Sequence, residues 1–85
     1  MLARYVAARR ERRIRQSDVV KYVVSKGEAL TVVSLSRYET GARSVPADLA
    51  TLLLDAVGLE GDERTACATE MVPDGYVRAL GVGDE

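Results

Sequence analysis

Arg4, Arg9, Arg10, Arg12, Arg13 and Arg15 crowd the first fifteen residues, with Glu11 the one acid among them. A guanidinium stays charged at any physiological pH, and its planar fork of donors matches carboxylates and phosphates two bonds at a time. Up to Pro46 the chain carries ten basic residues against four acids, a charge of +6; beyond it two basic residues face nine acids, −7. The near-neutral total of −1 therefore hides a division of sign. Such a division expects one end to face a polyanion and the other to face water or a basic partner, a solvated helix face being the plainer alternative. Chemistry of other kinds lacks its tools. The chain has no His and a single Cys, Cys67. A disulfide within one chain, a Cys/His zinc cluster and the usual general base of hydrolytic sites are all excluded. No catalytic residue, metal ligand or cofactor is expected, and the chain does not read as an enzyme.

The elements that must position these groups are short helices. Eighty-five residues make one small domain. No apolar stretch approaches the ~20 residues of a membrane span, and no secretory signal follows the basic start, so a cytoplasmic setting is expected. Residues 2–13 place Leu2, Tyr5, Val6 and the Ala7/Ala8 pair at helical spacing. Val19, Val20, Val23 and Val24 form one helical stripe, although the same run with residues 30–33 also suits a β-hairpin. The segment that follows favours the helix. Thr31 stands as an N-cap ahead of residues 32–40, and Gly41 stands where a left-handed C-cap wants glycine. Pro46 opens a fourth helix whose Leu49, Leu52, Leu53 and Ala56 make the clearest amphipathic stripe in the chain. Gly58 ends it. Asp62 is placed to cap a short fifth helix over residues 63–71. Residues 73–85 read as a C-terminal tail, flexible or docked through Tyr76, Val77 and Leu80.

The segment Ser36-Arg37-Tyr38-Glu39-Thr40-Gly41-Ala42-Arg43-Ser44-Val45-Pro46 resembles the end of the recognition helix and the loop after it in the Cro/CI-type (XRE) helix-turn-helix family. That family reads Ser-x-aromatic/aliphatic-Glu-x-Gly-x-Arg-x-Pro there, and this chain has one extra residue before the proline. Arg15-Gln16-Ser17-Asp18-Val19-Val20 looks like the opening of the family's second helix. Residues 48–59 look like its fourth helix and closing glycine. The similarity covers residues 2–59. Three departures stand out. The turn between the second and third helices is about five residues longer than the family's. Val20 occupies a place usual for a small residue, and Arg15 replaces a capping Ser or Thr.

The resemblance implies an all-α, compact four- to five-helix λ-repressor-like domain over residues 1–72, bacterial or phage-encoded and nucleoid-associated. It implies double-stranded DNA as partner, with the third helix in the major groove and the start of the second against phosphates. The implied DNA-binding residues are Gln16, Thr31, Val32, Val33, Ser34, Ser36, Arg37, Thr40 and Arg43. Gln16 would meet a phosphate or base edge through its amide, or simply be an exposed helix start. Val32 and Val33 have only methyl groups to offer, to thymine or to a protein partner. Arg37 suits the O6/N7 edge of guanine, with a phosphate contact or surface ion pair as the alternative. Arg43 suits a phosphate. Arg9 and Glu39 match a buried ion pair between the first and third helices. A single recognition helix reads few base pairs, so a homodimer is expected, its surface drawn from Leu54, Leu59, Met71 and the tail. The rival function is a protein-interaction module on the same fold (antirepressor, antitoxin or partner-binding subunit), with the acidic C-terminal half as its contact surface.

Overall fold

Valine-rich residues 19–24 could have gone to strand, and burial decides the matter. In the computed structural model, which describes residues 1–71, they lie in a helix whose Val19 and Val23 are wholly buried. Tertiary packing thus outweighs the β preference of a branched side chain. Five helices follow one another: α1 (Ala3–Glu11), α2 (Gln16–Ser25), α3 (Val32–Thr40), α4 (Ala47–Val57) and α5 (Gly61–Met71). Among the described residues there is no strand, and no helix is long and apolar enough to cross a membrane. The all-α class is as expected, and the tail at residues 73–85 lies outside the described residues.

One core serves all five helices. Tyr5 of α1, Val19 and Val23 of α2, Leu35 of α3, Leu53 and Leu54 of α4, and Cys67 of α5 are each at most 1% exposed. The Tyr5 hydroxyl donates to the Leu53 carbonyl at 3.0 Å, so the ring enters the core with its polar end satisfied. Burial holds the Tyr5 phenol well above the usual tyrosine range, with Glu39 adding to the effect. Cys67 is the small buried thiol its alanine neighbours suggested; burial, then Glu70 and Glu63, pushes its pKa up. Leu54, Leu59 and Met71 correct an expectation. They are buried in this same core at 0%, 1% and 5% exposure and offer no surface to a second copy.

Helix ends depart from the sequence pattern in two places. α1 stops at Glu11, two residues early, because Arg13 takes a left-handed conformation (φ 58°). The Arg13 and Ile14 N–H groups then donate to the carbonyls of Arg10 and Arg9, the double bond of a Schellman cap with arginine in glycine's place. α5 begins at Gly61, so Asp62 lies inside the first turn and not ahead of it. An acid there still favours the positive end of the helix.

α1 has no side-chain cap of its own at its start. The Glu70 carboxylate of α5 accepts the N–H groups of Arg4 (2.9 Å) and Tyr5 (3.1 Å) instead. At the other end of this antiparallel pair Arg12 donates to Glu63 at 2.8 Å, and that bond raises the arginine's pKa. Arg64 likewise reaches Asp55 at 2.8 Å, joining α5 to α4. Much of the acidic half is therefore spent on holding the fold together.

Candidate nucleic-acid interface

α3 divides cleanly into an inner and an outer face. Leu35, Tyr38 and Glu39 are buried, whereas Val32, Val33, Arg37 and Thr40 are exposed. Helical geometry alone produces this from the sequence, since residues three and four apart share a side. Thr31 caps the helix as expected, its Oγ1 accepting the Ser34 N–H at 3.1 Å. The Ser34 hydroxyl lies 3.1 Å from the same oxygen, and the Thr40 hydroxyl donates to the Arg37 carbonyl at 3.2 Å. These hydroxyls already have local partners. Ser36 is half-buried and borders a groove shared with the start of α2 and with Val6, Arg9 and Arg10 of α1.

The longer turn between α2 and α3 is anchored at each end. Gly27, at φ +94°, and Glu28 donate to the carbonyls of Val24 and Val23, closing α2 with the same double bond seen after α1. Leu30, 8% exposed, then plugs the loop into the core one residue before the Thr31 cap. The extra residues thus form a closed corner between two tied ends.

Behind the outer face lies a charged clasp. Arg9 Nε and Nη2 donate to the two carboxylate oxygens of Glu39 at 2.9 and 3.1 Å, and Nη1 donates to the Ile14 carbonyl at 3.0 Å. The two residues are only 7% and 4% exposed. Gln16 joins them, its Nε2 donating to Glu39 Oε1 at 2.9 Å. One of its two amide N–H groups is consequently committed inward, and the residue positions α2 on α3 as well as facing the groove. The Leu2 N–H adds a bond to the Glu39 carbonyl at 2.9 Å, drawing the chain start onto the end of α3. Every buried side-chain nitrogen and oxygen among the described residues has a partner.

The clasp matters for charge. Glu39 is the one acid of α3, and its neutralisation leaves the outer face cationic. Arg37 makes no ion pair among the described residues, and neither does Arg43, whose guanidinium stacks over the Tyr38 ring with its centre 5.6 Å away. Stacking orients that group without neutralising it. A groove of about 420 Å³ runs beside the face, bordered by Arg10, Arg15, Gln16, Ser36 and Thr40. Three of the six leading arginines thus reach this side, Arg9 already bound to Glu39 and Arg10 and Arg15 not. Arg12 is turned away to Glu63, and Arg4 lies at the far end of α1. The joining of Arg10 and Arg15 to Ser36 and Thr40 had no signal in the sequence, because it depends on how α1 crosses α3.

Among the described residues no group of three or more His, Cys, Asp or Glu side chains could hold a metal ion. Comparison of the chain with protein-family models, curated proteins and solved structures finds no match.

Proposed function

We propose that this chain is a sequence-specific DNA-binding regulator of transcription, acting as a repressor in the cytoplasm, with α2 and α3 as its helix-turn-helix. One observation carries the reading: the only acid of α3 is buried against Arg9 while Arg37 and Arg43 project from the same segment without acidic partners among the described residues. A surface built to meet phosphate gains by hiding its carboxylates, because counterion release by unpaired cations supplies most of the non-specific affinity for duplex DNA. The resemblance of residues 2–59 to Cro/CI-type proteins supports the same assignment. In this reading α3 enters the major groove with Val32 and Val33 toward thymine methyls and Arg37 toward guanine, while Arg43, Arg10 and Arg15 meet the backbone. A homodimer on a two-fold site supplies the remaining base contacts.

Selection of bound sequences from a random duplex pool at moderate salt tests the proposal. A recovered palindrome is the expected result. Affinity should fall steeply between about 50 and 200 mM salt, and replacing Arg43 by Ala should lower the slope by about one. No retarded band at low salt would overturn the reading.

The rival draws on one observation of its own. Val32 and Val33 are 42% and 62% exposed at the head of α3, with Val24 53% exposed at the end of α2. Apolar side chains left in water are a common mark of a protein contact. An interaction module on this fold would hold a protein partner through that edge or through the acidic half, and would be indifferent to the Arg43 change on DNA.

A further inference from the structure

The exposed side chains of α3 are Val32, Val33, Arg37 and Thr40. Their hydrogen-bonding inventory is short. The valines have no polar atom, and the Thr40 hydroxyl donates to the Arg37 carbonyl at 3.2 Å. Of these residues Arg37 alone has free donors. Ser34 and Ser36 are half-buried, and the Thr31 hydroxyl ahead of the helix donates to the Ser34 hydroxyl at 3.1 Å while accepting the Ser34 N–H. Val33 and Arg37 share one ridge, about 6 Å apart along the axis, close to two base-pair steps of ~3.4 Å. The apolar head of this ridge is set among cations. Arg37 and Arg43 make no ion pair among the described residues, and the one acid of α3 is buried against Arg9. An apolar patch in positive potential suits an apolar group carried by a polyanion. The C5-methyl of a pyrimidine, in the major groove between two phosphate backbones, is such a group.

We infer that the head of α3 recognises the C5-methyl group itself and not the base that carries it. 5-Methylcytosine is then a ligand wherever thymine is, and cytosine methylation strengthens binding at a site that lacks the thymine. The inference rests on the DNA-binding reading and adds to it a class of ligand and a form of regulation. Thymine and 5-methylcytosine present the same methyl at the same place in the major groove. Beside it they differ, an O4 acceptor in one standing where the other has an N4 amino donor. Only a hydrogen-bonding side chain tells those two apart, and Val32 and Val33 have no such group. Discrimination of the base itself falls to Arg37, whose guanidinium matches O6 and N7 of a guanine about two base pairs away. Each methyl taken out of water should change affinity about fourfold, and about 15-fold when both halves of a two-fold site carry one.

The duplex recovered from the random pool, synthesised in four forms, tests this. The pyrimidine about two base pairs from the guanine is made thymine, uracil, cytosine or 5-methylcytosine, each with its matching purine. Dissociation constants are then measured by fluorescence anisotropy at one fixed salt concentration. Thymine and 5-methylcytosine should bind alike, and uracil and cytosine should each bind several-fold more weakly. A double variant, Val32→Ala with Val33→Ala, should lose the distinction while keeping the salt dependence of wild type, because no charge has changed. Alanine favours a helix more than valine does, so α3 persists in that variant, which circular dichroism verifies. An order that follows the base pair and not the methyl, or a methyl preference that survives in the double variant, would overturn the inference. So would a recovered half-site with no pyrimidine at that spacing. Four equal affinities would overturn it too and would give the valines to a protein partner. Failure of the DNA reading looks different: no form of the duplex is retarded at low salt, and the methyl preference falls with it.

Discussion

Where α2 meets α4, Val19 and Val23 on one side and Leu49 and Leu53 on the other are buried, and the seam is apolar. Where α1 meets α3, the buried pair is Arg9 and Glu39, with Gln16 and the Ile14 carbonyl completing their bonds. The two junctions do different work. Apolar contact is non-directional and drives the helices together. A bidentate ion pair is directional, and its desolvation cost cancels much of its gain, so it is a poor source of stability but a good source of registry. The apolar seam makes a globule. The charged one decides how α3 lies against α1, and with it which arginines share its outer side.

Breaking the charged seam on one side only should have the largest effect. Glu39→Ala leaves the Arg9 guanidinium buried without its counter-charge and should cost roughly 3–5 kcal/mol, measured by urea denaturation. Ser36→Ala, on the same helix but without a side-chain hydrogen bond among the described residues, should stay within about 1 kcal/mol of wild type. Equal losses for the two would reject a load on the clasp. Replacing both partners together, Arg9→Met with Glu39→Leu, sharpens the contrast: most of the stability should return, because no unpaired charge remains, while DNA affinity should not. Full recovery of both would show that apolar packing can set the position of α3 equally well.

A smaller effect lies at the exit of α1 from this seam. Arg13 holds a left-handed conformation that costs a residue with a Cβ about 1–2 kcal/mol. Arg13→Gly should therefore raise stability by about 1 kcal/mol, after allowing for the greater freedom of glycine in the unfolded chain. The smallest effect concerns the cap of α2. The Arg15 N–H, donating to Asp18 at 2.9 Å, and then the Arg15 side chain hold the Asp18 carboxyl below its ordinary value of 3.8. A depressed folded pKa means stabilisation present above that value and lost as pH falls through the folded one. Asp18→Asn should thus lower the melting temperature slightly at pH 7, and the difference from wild type should begin to narrow below the ordinary value of 3.8 and close only below the lower folded one. A gap that persists in acid would assign the effect to something other than the carboxylate.

The apolar seam was readable from residue order, because the Leu49–Leu53 spacing and the Gly41 and Gly58 stops are local signals. The Thr31 cap was readable for the same reason. The clasp was reached only through the resemblance, since thirty residues separate Arg9 from Glu39 and nothing local links them. The wrong choice of Leu54, Leu59 and Met71 as surface shows the limit of helical spacing. Spacing says which residues share a side, not whether α5 has already covered it. Glu70 on the start of α1 and Glu63 on Arg12 left no trace at all, being pairings over 65 and 51 positions.

The Glu70 cap has a consequence for the order of events at the ribosome. α1, made well before α5, depends for two of its amide bonds on a side chain near the end of that last described helix. Short isolated helices are marginal in water, and closing so long a loop is paid in chain entropy before any contact rewards it. The nascent chain is therefore expected to hold α1 unsettled until α5 has cleared the exit tunnel, and then to complete both together.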